Sequence, residues 1–203
     1  MSDRLSLELQ LAPGQETIFF PLLQEGVELE LEVGCSVREL LARQFGIPGD
    51  YQASRISTIF LNHQVVDDAA AALVGDGAIL ALSGAMPGLV GATMRRGGRL
   101  AGLRDGITYR NPERVPEARR GRIHLKLFNL LLPELAPRIL RRGILLAAER
   151  CCELLAGQAE PFPEPDCWLE GRRMSVGKLK DKLQGQASGC LLQLRVHFGD
   201  ERP

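Results

Sequence analysis

Residue types that do chemistry are sparse in this chain of 203 residues. His63 with Asp67 and Asp68 has the makings of an acid–base group, but a general base also needs a nucleophile or substrate pocket, and neither is indicated nearby. A turn histidine beside surface carboxylates is the expected reading. Cys35, Cys151, Cys152, Cys167 and Cys190 form no CxxC pair and the three histidines are scattered, so no metal site with closely spaced ligands is expected. Buried, reduced thiols are expected instead. Cys151-Cys152 fits an apolar helix face, because a disulfide between adjacent residues closes a strained ring. The run Ser83-Gly84-Ala85-Met86-Pro87-Gly88 lacks the lysine and the glycine spacing of a phosphate loop or a dinucleotide fingerprint. No catalytic residue, metal or cofactor is assigned, and the expectation is that the chain is not an enzyme.

Charge is the stronger signal. The net charge is zero, yet residues 1–83 hold 12 acidic and 4 basic side chains, residues 84–150 hold 5 and 14, and residues 151–203 hold 8 and 7. An acidic segment therefore leads into a basic one. Arg95, Arg96, Arg99 and Arg104, followed by Arg119, Arg120 and Arg122, form a basic set able to neutralise phosphates or to meet an acidic protein surface. Nucleic-acid binders add aromatic platforms, and only Tyr109 lies near this set. A protein partner is expected, an acidic surface of this same chain included; nucleic acid is the alternative.

The elements that must carry these residues follow from periodicity. Leu5-Ser6-Leu7-Glu8-Leu9-Gln10-Leu11 alternates apolar and polar residues, as a strand with one buried face does. Val27-Glu28-Leu29-Glu30-Leu31-Glu32-Val33 repeats the pattern with three glutamates toward solvent. Ser36 stands three residues before Glu39, the spacing of a capping box, and Val37, Leu40, Leu41 and Phe45 make the apolar stripe of a helix closed by Gly46 and Pro48. Residues 56–61, the turn Asn62-His63 and Val65-Val66 read as a hairpin. After the turn Val74-Gly75-Asp76-Gly77, the run 78–82 suits a buried strand.

This order of strand, strand, helix, hairpin and strand resembles the ubiquitin-like β-grasp sulfur carriers, namely the molybdopterin synthase small subunit and the thiamine-pathway carrier. The resemblance covers about the first 85 residues and rests on VELELEV, CSVRELLARQFG, FLNHQVV and VGDGAILAL. It implies one helix packed across a mixed sheet. In that family the chain ends in Gly-Gly, whose carboxylate is adenylated and becomes a thiocarboxylate; here Gly97-Gly98 is followed by 105 further residues, so carrier chemistry would require cleavage after Gly98. The fold alone carries no function.

Farther along, residues 110–122 hold two prolines and many charges and read as a linker, with a strand at 123–128. A helix entered near Pro133 ends at Arg141-Arg142-Gly143, where cations suit the helix dipole. Residues 144–156 are expected to form one broad apolar helix. Pro161, Pro163 and Pro165 make an extended connector. Strands at 167–169 and 190–198 flank a polar helix within 175–183. The predicted class is α+β: a β-grasp domain at 1–85, a Gly/Arg-rich basic connector at 86–122, and a second α+β domain at 123–203. The uncharged run 77–94 contains four glycines and Pro87, so no membrane span is expected. MSDRLSLELQ lacks the basic and apolar regions of a signal peptide, which makes the cytoplasm the expected location. The functional expectation is a non-catalytic, ubiquitin-like interaction or accessory protein; the alternatives are a sulfur-carrier precursor processed after Gly98 and a nucleic-acid-binding protein using the basic segment.

Overall fold

A computed structural model describes residues 4–110, 117–157, 165–186 and 189–199. The strands are β1 (Arg4–Leu11), β2 (Val27–Val33), β3 (Thr58–Leu61), β4 (Gln64–Val65), β5 (Ala78–Ser83), β6 (Arg119–Phe128), β7 (Ile144–Ala147), β8 (Asp166–Leu169), β9 (Arg172–Met174) and β10 (Leu191–Phe198). The helices are α1 (Phe20–Glu25), α2 (Val37–Glu39, wound on as a wider turn over Leu40–Gln44), α3 (Gly49–Ser54), α4 (Gly88–Met94), α5 (Leu131–Arg142), α6 (Ala148–Ala156) and α7 (Val176–Gln184). The class is α+β, as the alternating and capped segments imply. No helix among the described residues is long and apolar enough to cross a membrane.

The chain forms two compact units, one of Leu23–Glu134 and one of Met1–Leu22 with Leu135–Pro203. This division differs from 1–85, 86–122 and 123–203, and the difference lies in β1 and β6. β1 was expected to open the sheet that contains β2. Instead its two edges are taken by β10, parallel, with Arg4 opposite Leu191 and Leu11 opposite Phe198, and by β8, antiparallel. Alternation specifies which face of a strand is buried; it does not specify the partner.

Within the unit Leu23–Glu134 the strand order is β4-β3-β5-β6-β2. β5 and β6 run parallel, with Ala78 opposite Ile123 and Ser83 opposite Phe128, and the outer pairings are antiparallel. Leu29, Leu80, Ile123 and Leu125 are completely buried on this sheet, as are Val37, Leu40 and Leu41 of the α2 segment. Ser36 caps that segment as its spacing requires: its hydroxyl accepts the Glu39 N–H at 3.2 Å and the Glu39 carboxylate accepts the Ser36 N–H at 3.2 Å. Asn62 and His63 both have positive φ, 51° and 68°, the turn geometry whose twist matches a tight hairpin. Gly34 has φ 85° and a Cβ there would lie 2.6 Å from the Glu117 and Ala118 backbone, so only glycine fits where β2 turns away beside the start of β6.

The other unit orders its strands β7-β10-β1-β8-β9, again with a central parallel pair and antiparallel outer pairings. Leu7, Leu9, Leu192, Leu194 and Val196 are fully buried, together with Cys151 of α6 and Leu179 of α7. Ser175 caps α7 by accepting the Lys178 N–H at 3.5 Å. The expected helix at 144–156 is corrected: Ile144–Ala147 is β7, antiparallel to β10, and α6 begins at Ala148. The linker at 110–122 is corrected at its C-terminal end, since β6 begins at Arg119; residues 111–116 lie outside the described residues, as do Pro161 and Pro163 of the proline connector.

Candidate functional surface

The arginines singled out by sequence separate into three groups. Arg119, Arg120 and Arg122 stand on β6, where Arg122 lies opposite Glu30 and Arg120 opposite Glu32 of β2, and Arg119 lies opposite Val33. Arg122 meets Glu28 at 2.9 Å, Arg120 meets Glu30 at 3.8 Å, and Arg119 meets Asp76 at 2.7 Å. Asp76 also accepts the Arg122 N–H at 2.7 Å, and that bond first, then the Arg119 charge, holds its carboxyl below the usual aspartate range. The acidic strand β2 thus neutralises Arg120 and Arg122 across its ladder with β6, and Asp76, in the turn before β5, neutralises Arg119.

Arg104 belongs to a second group. It is 4% exposed, and its guanidinium donates to Asp67 at 2.7 and 3.1 Å, to the Thr93 carbonyl at 2.6 Å and to the Thr108 hydroxyl at 3.1 Å. The side chain is committed inside the protein, which takes it out of the set able to reach a partner. Asp67 also accepts the Gly97 N–H at 3.0 Å. Arg104's hydrogen bonds lower the Asp67 pKa, with the Gly97 bond adding to the shift. Arg96 is half-buried, donating to the Gln52 carbonyl at 2.8 Å. Asp67, considered above with His63 and Asp68, is therefore a structural anchor, while Asp68 accepts the Ala70 N–H at 2.8 Å within its own turn.

Arg95 and Arg99 form the third group. Both are exposed, and neither side chain has a partner among the described residues. Arg95 closes α4. One side of this helix, Gly88, Gly91, Ala92 and Arg95, borders a cleft of about 290 Å³ whose other walls are Ser54 at the end of α3, Arg55 and Ser57 after it, the Ala85-Met86 chain, and Leu130. The small side chains of α4 leave that room. Gly91 also lets the helix come down on Met86, whose carbonyl oxygen would lie 1.9 Å from a Cβ at this position. Arg55, across the cleft, is bound through two nitrogens to Glu134, which also accepts from the Tyr51 hydroxyl. These bonds, Arg55 first, lower the Glu134 pKa.

Large apolar side chains are exposed at Leu130 on the cleft, on α4 and on the segment after it. Leu89 is 72%, Val90 61%, Leu103 74% and Leu130 54% exposed, with Ile107 at 42%. Single exposed leucines need no explanation; a group on one short helix and the turn after it does. Gly97 and Gly98 sit between these residues in a turn, Gly97 with φ 60° and its N–H on Asp67, Gly98 with its N–H on the Arg95 carbonyl at 3.1 Å. Leu89, Val90 and Leu103 carry no sequence signal, because uncharged residues among glycines show no period. Their exposure is decided by the Arg104 clasp, which fixes which side of the segment faces inward.

The thiols offer no paired chemistry among the described residues. Cys151 and Cys167 are buried, and Cys35, Cys152 and Cys190 are partly exposed. Burial, with Cys152 and Cys167 adding to it, pushes the Cys151 thiol up to about 12. No group of three or more metal-ligating side chains is placed to hold an ion among the described residues. Comparison with protein-family models, with curated proteins and with solved structures found no match.

Proposed function

We propose that the chain is a non-catalytic interaction protein whose Leu23–Glu134 unit uses a ubiquitin-like β-grasp frame, and that its partner docks on α4 and the turn after it. The frame is supported by one capped helix beside a mixed sheet, followed by the Asn62-His63 hairpin and by β5. It departs from the expected chain order in one respect: the strand beside β2 is β6, from the end of the unit, not β1. The docking assignment is carried by one observation, the exposure of Leu89, Val90 and Leu103 on a segment that Arg104 anchors from inside. An unanchored apolar loop would collapse onto the core; this one is held with its apolar side outward, where burial by a partner is worth about 25 cal/mol per Å².

The test replaces Leu89 and Leu103 together by Asp in the full chain. The variant is expected to keep its fold and to lose a protein that crosslinks to and copurifies with the wild type. Equal capture by both forms, or turnover of a small molecule by the purified chain, overturns the reading.

A further inference from the structure

The arginines left over after internal pairing define what kind of partner suits this face. Arg104, Arg119, Arg120 and Arg122 each have a carboxylate within the unit, at 2.7, 2.7, 3.8 and 2.9 Å, and Arg55 has Glu134. Arg95 and Arg99, in the same stretch of chain as the exposed leucines, have none among the described residues. Among the described residues, α4 and the segment after it thus carry both unpaired positive charge and exposed apolar side chains.

We propose that this face receives an acidic, apolar segment of a partner protein, with one carboxylate of that segment on Arg95 and its apolar side chains over Leu89 and Leu103. The proposal rests on the docking reading above and adds the chemistry of the occupant. Arg95 stands at the rim of a cleft of about 290 Å³, room for a side chain or two, and its guanidinium can take a carboxylate through two parallel hydrogen bonds. Leu130, 54% exposed, gives the same cleft an apolar lip. A flat bilayer does not enter such a concavity. A nucleic acid strand would want a ring to stack on, and Tyr109, the aromatic nearest in sequence to the basic set, is half-buried with its hydroxyl donating to the Leu73 carbonyl at 3.2 Å.

The probe is a short fluorescent peptide of leucines and glutamates, titrated against the full chain; its comparators are the same peptide with lysine for glutamate, a single-stranded RNA, and phosphatidylserine vesicles. The glutamate peptide is expected to bind and the lysine peptide not to. Arg95→Ala should weaken binding about tenfold, the scale of one lost charge-assisted contact. Arg95→Glu with Arg99→Glu should reverse the preference, so that the lysine peptide binds. Leu89→Asp should abolish binding of both peptides. Equal binding of the two peptides to the wild type, no binding of either, or Arg95-dependent binding of RNA or vesicles alone overturns the proposal. If Leu89→Asp abolishes binding while Arg95→Glu leaves it unchanged, the carboxylate seat is wrong and the docking face stands; if Leu89→Asp has no effect, the docking face itself is wrong.

Discussion

Arg104 and Asp67 are joined by two hydrogen bonds of 2.7 and 3.1 Å, the arginine buried and the aspartate partly open to water. Replacing the arginine strands the Thr93 carbonyl and leaves the Asp67 carboxylate with the Gly97 N–H and water. Arg104→Ala is expected to cost about 1–3 kcal/mol of stability, the scale of leaving a buried polar group unsatisfied. Arg104→Lys should rescue little, since an ammonium cannot make the forked contact. Urea denaturation of the three proteins checks both expectations.

The same pair fixes a pH dependence. Arg104's hydrogen bonds lower the Asp67 pKa in the folded state, so the stabilisation is fully present above the ordinary aspartate value and is lost as pH falls through the lower, folded-state value. Asp76 and Glu134 are shifted the same way, and the Asp67 share must be isolated by difference. The gap in urea midpoint between wild type and Asp67→Asn should hold from neutrality to about pH 5 and close below about pH 4.

Two glycines, one in α4 and one in the segment after it, should respond oppositely to a methyl group. A Cβ at Gly91 would lie 1.9 Å from the Met86 carbonyl oxygen, whereas nothing stands within 4 Å of one at Gly102. Gly91→Ala should push α4 off the Ala85-Met86 chain, at about 1–3 kcal/mol for overpacking. Gly102→Ala should stay within about 0.5 kcal/mol, as surface changes do. Thermal melts of the two variants decide, and Gly91→Ala should also lose affinity for any ligand of the cleft.

Cys151 should be chemically silent in the folded protein. Its thiol is buried and its pKa is pushed up to about 12, and the thiolate is the reactive form. Iodoacetamide at pH 8 should leave Cys151 unmodified in the native chain and label it in denaturant, read by mass spectrometry of the peptide containing it.

Much of the local structure was legible from spacing alone. The alternation in β1 and β2, the capping box at Ser36 and Glu39, and the apolar run of β5 are each decided by neighbours a few residues away. What escaped had identifiable causes. β6 starts four residues earlier than its apolar signal because Gly121 holds an inward position with no side chain; a Cβ there would meet Asp76 at 2.6 Å. Ile144–Ala147 is buried almost throughout, and such a short run looks the same in a strand or a helix. No capping side chain marks the change to α6 at Ala147. The burial of Arg104 was invisible because its partner Asp67 lies far back in the chain. The docking face is defined by what that pair turns outward, so it could not be read before the pair was known.

β1 is made first and paired last. Its antiparallel partner spans Asp166–Leu169 and its parallel partner Leu191–Phe198, so a growing chain has both edges of β1 open until β8 has been synthesised and one edge open until β10 has. The strands β2 to β6 all lie between Val27 and Phe128 and can close on one another long before that. Pairing across so long a stretch is slow, because the loop must be closed before any contact rewards it. During that interval β1 is an alternating strand with free edges, the form most prone to pair with the wrong chain. Ser6, Glu8 and Gln10 on its polar side are then its protection in the nascent chain, a service none of them is needed for once β10 has arrived.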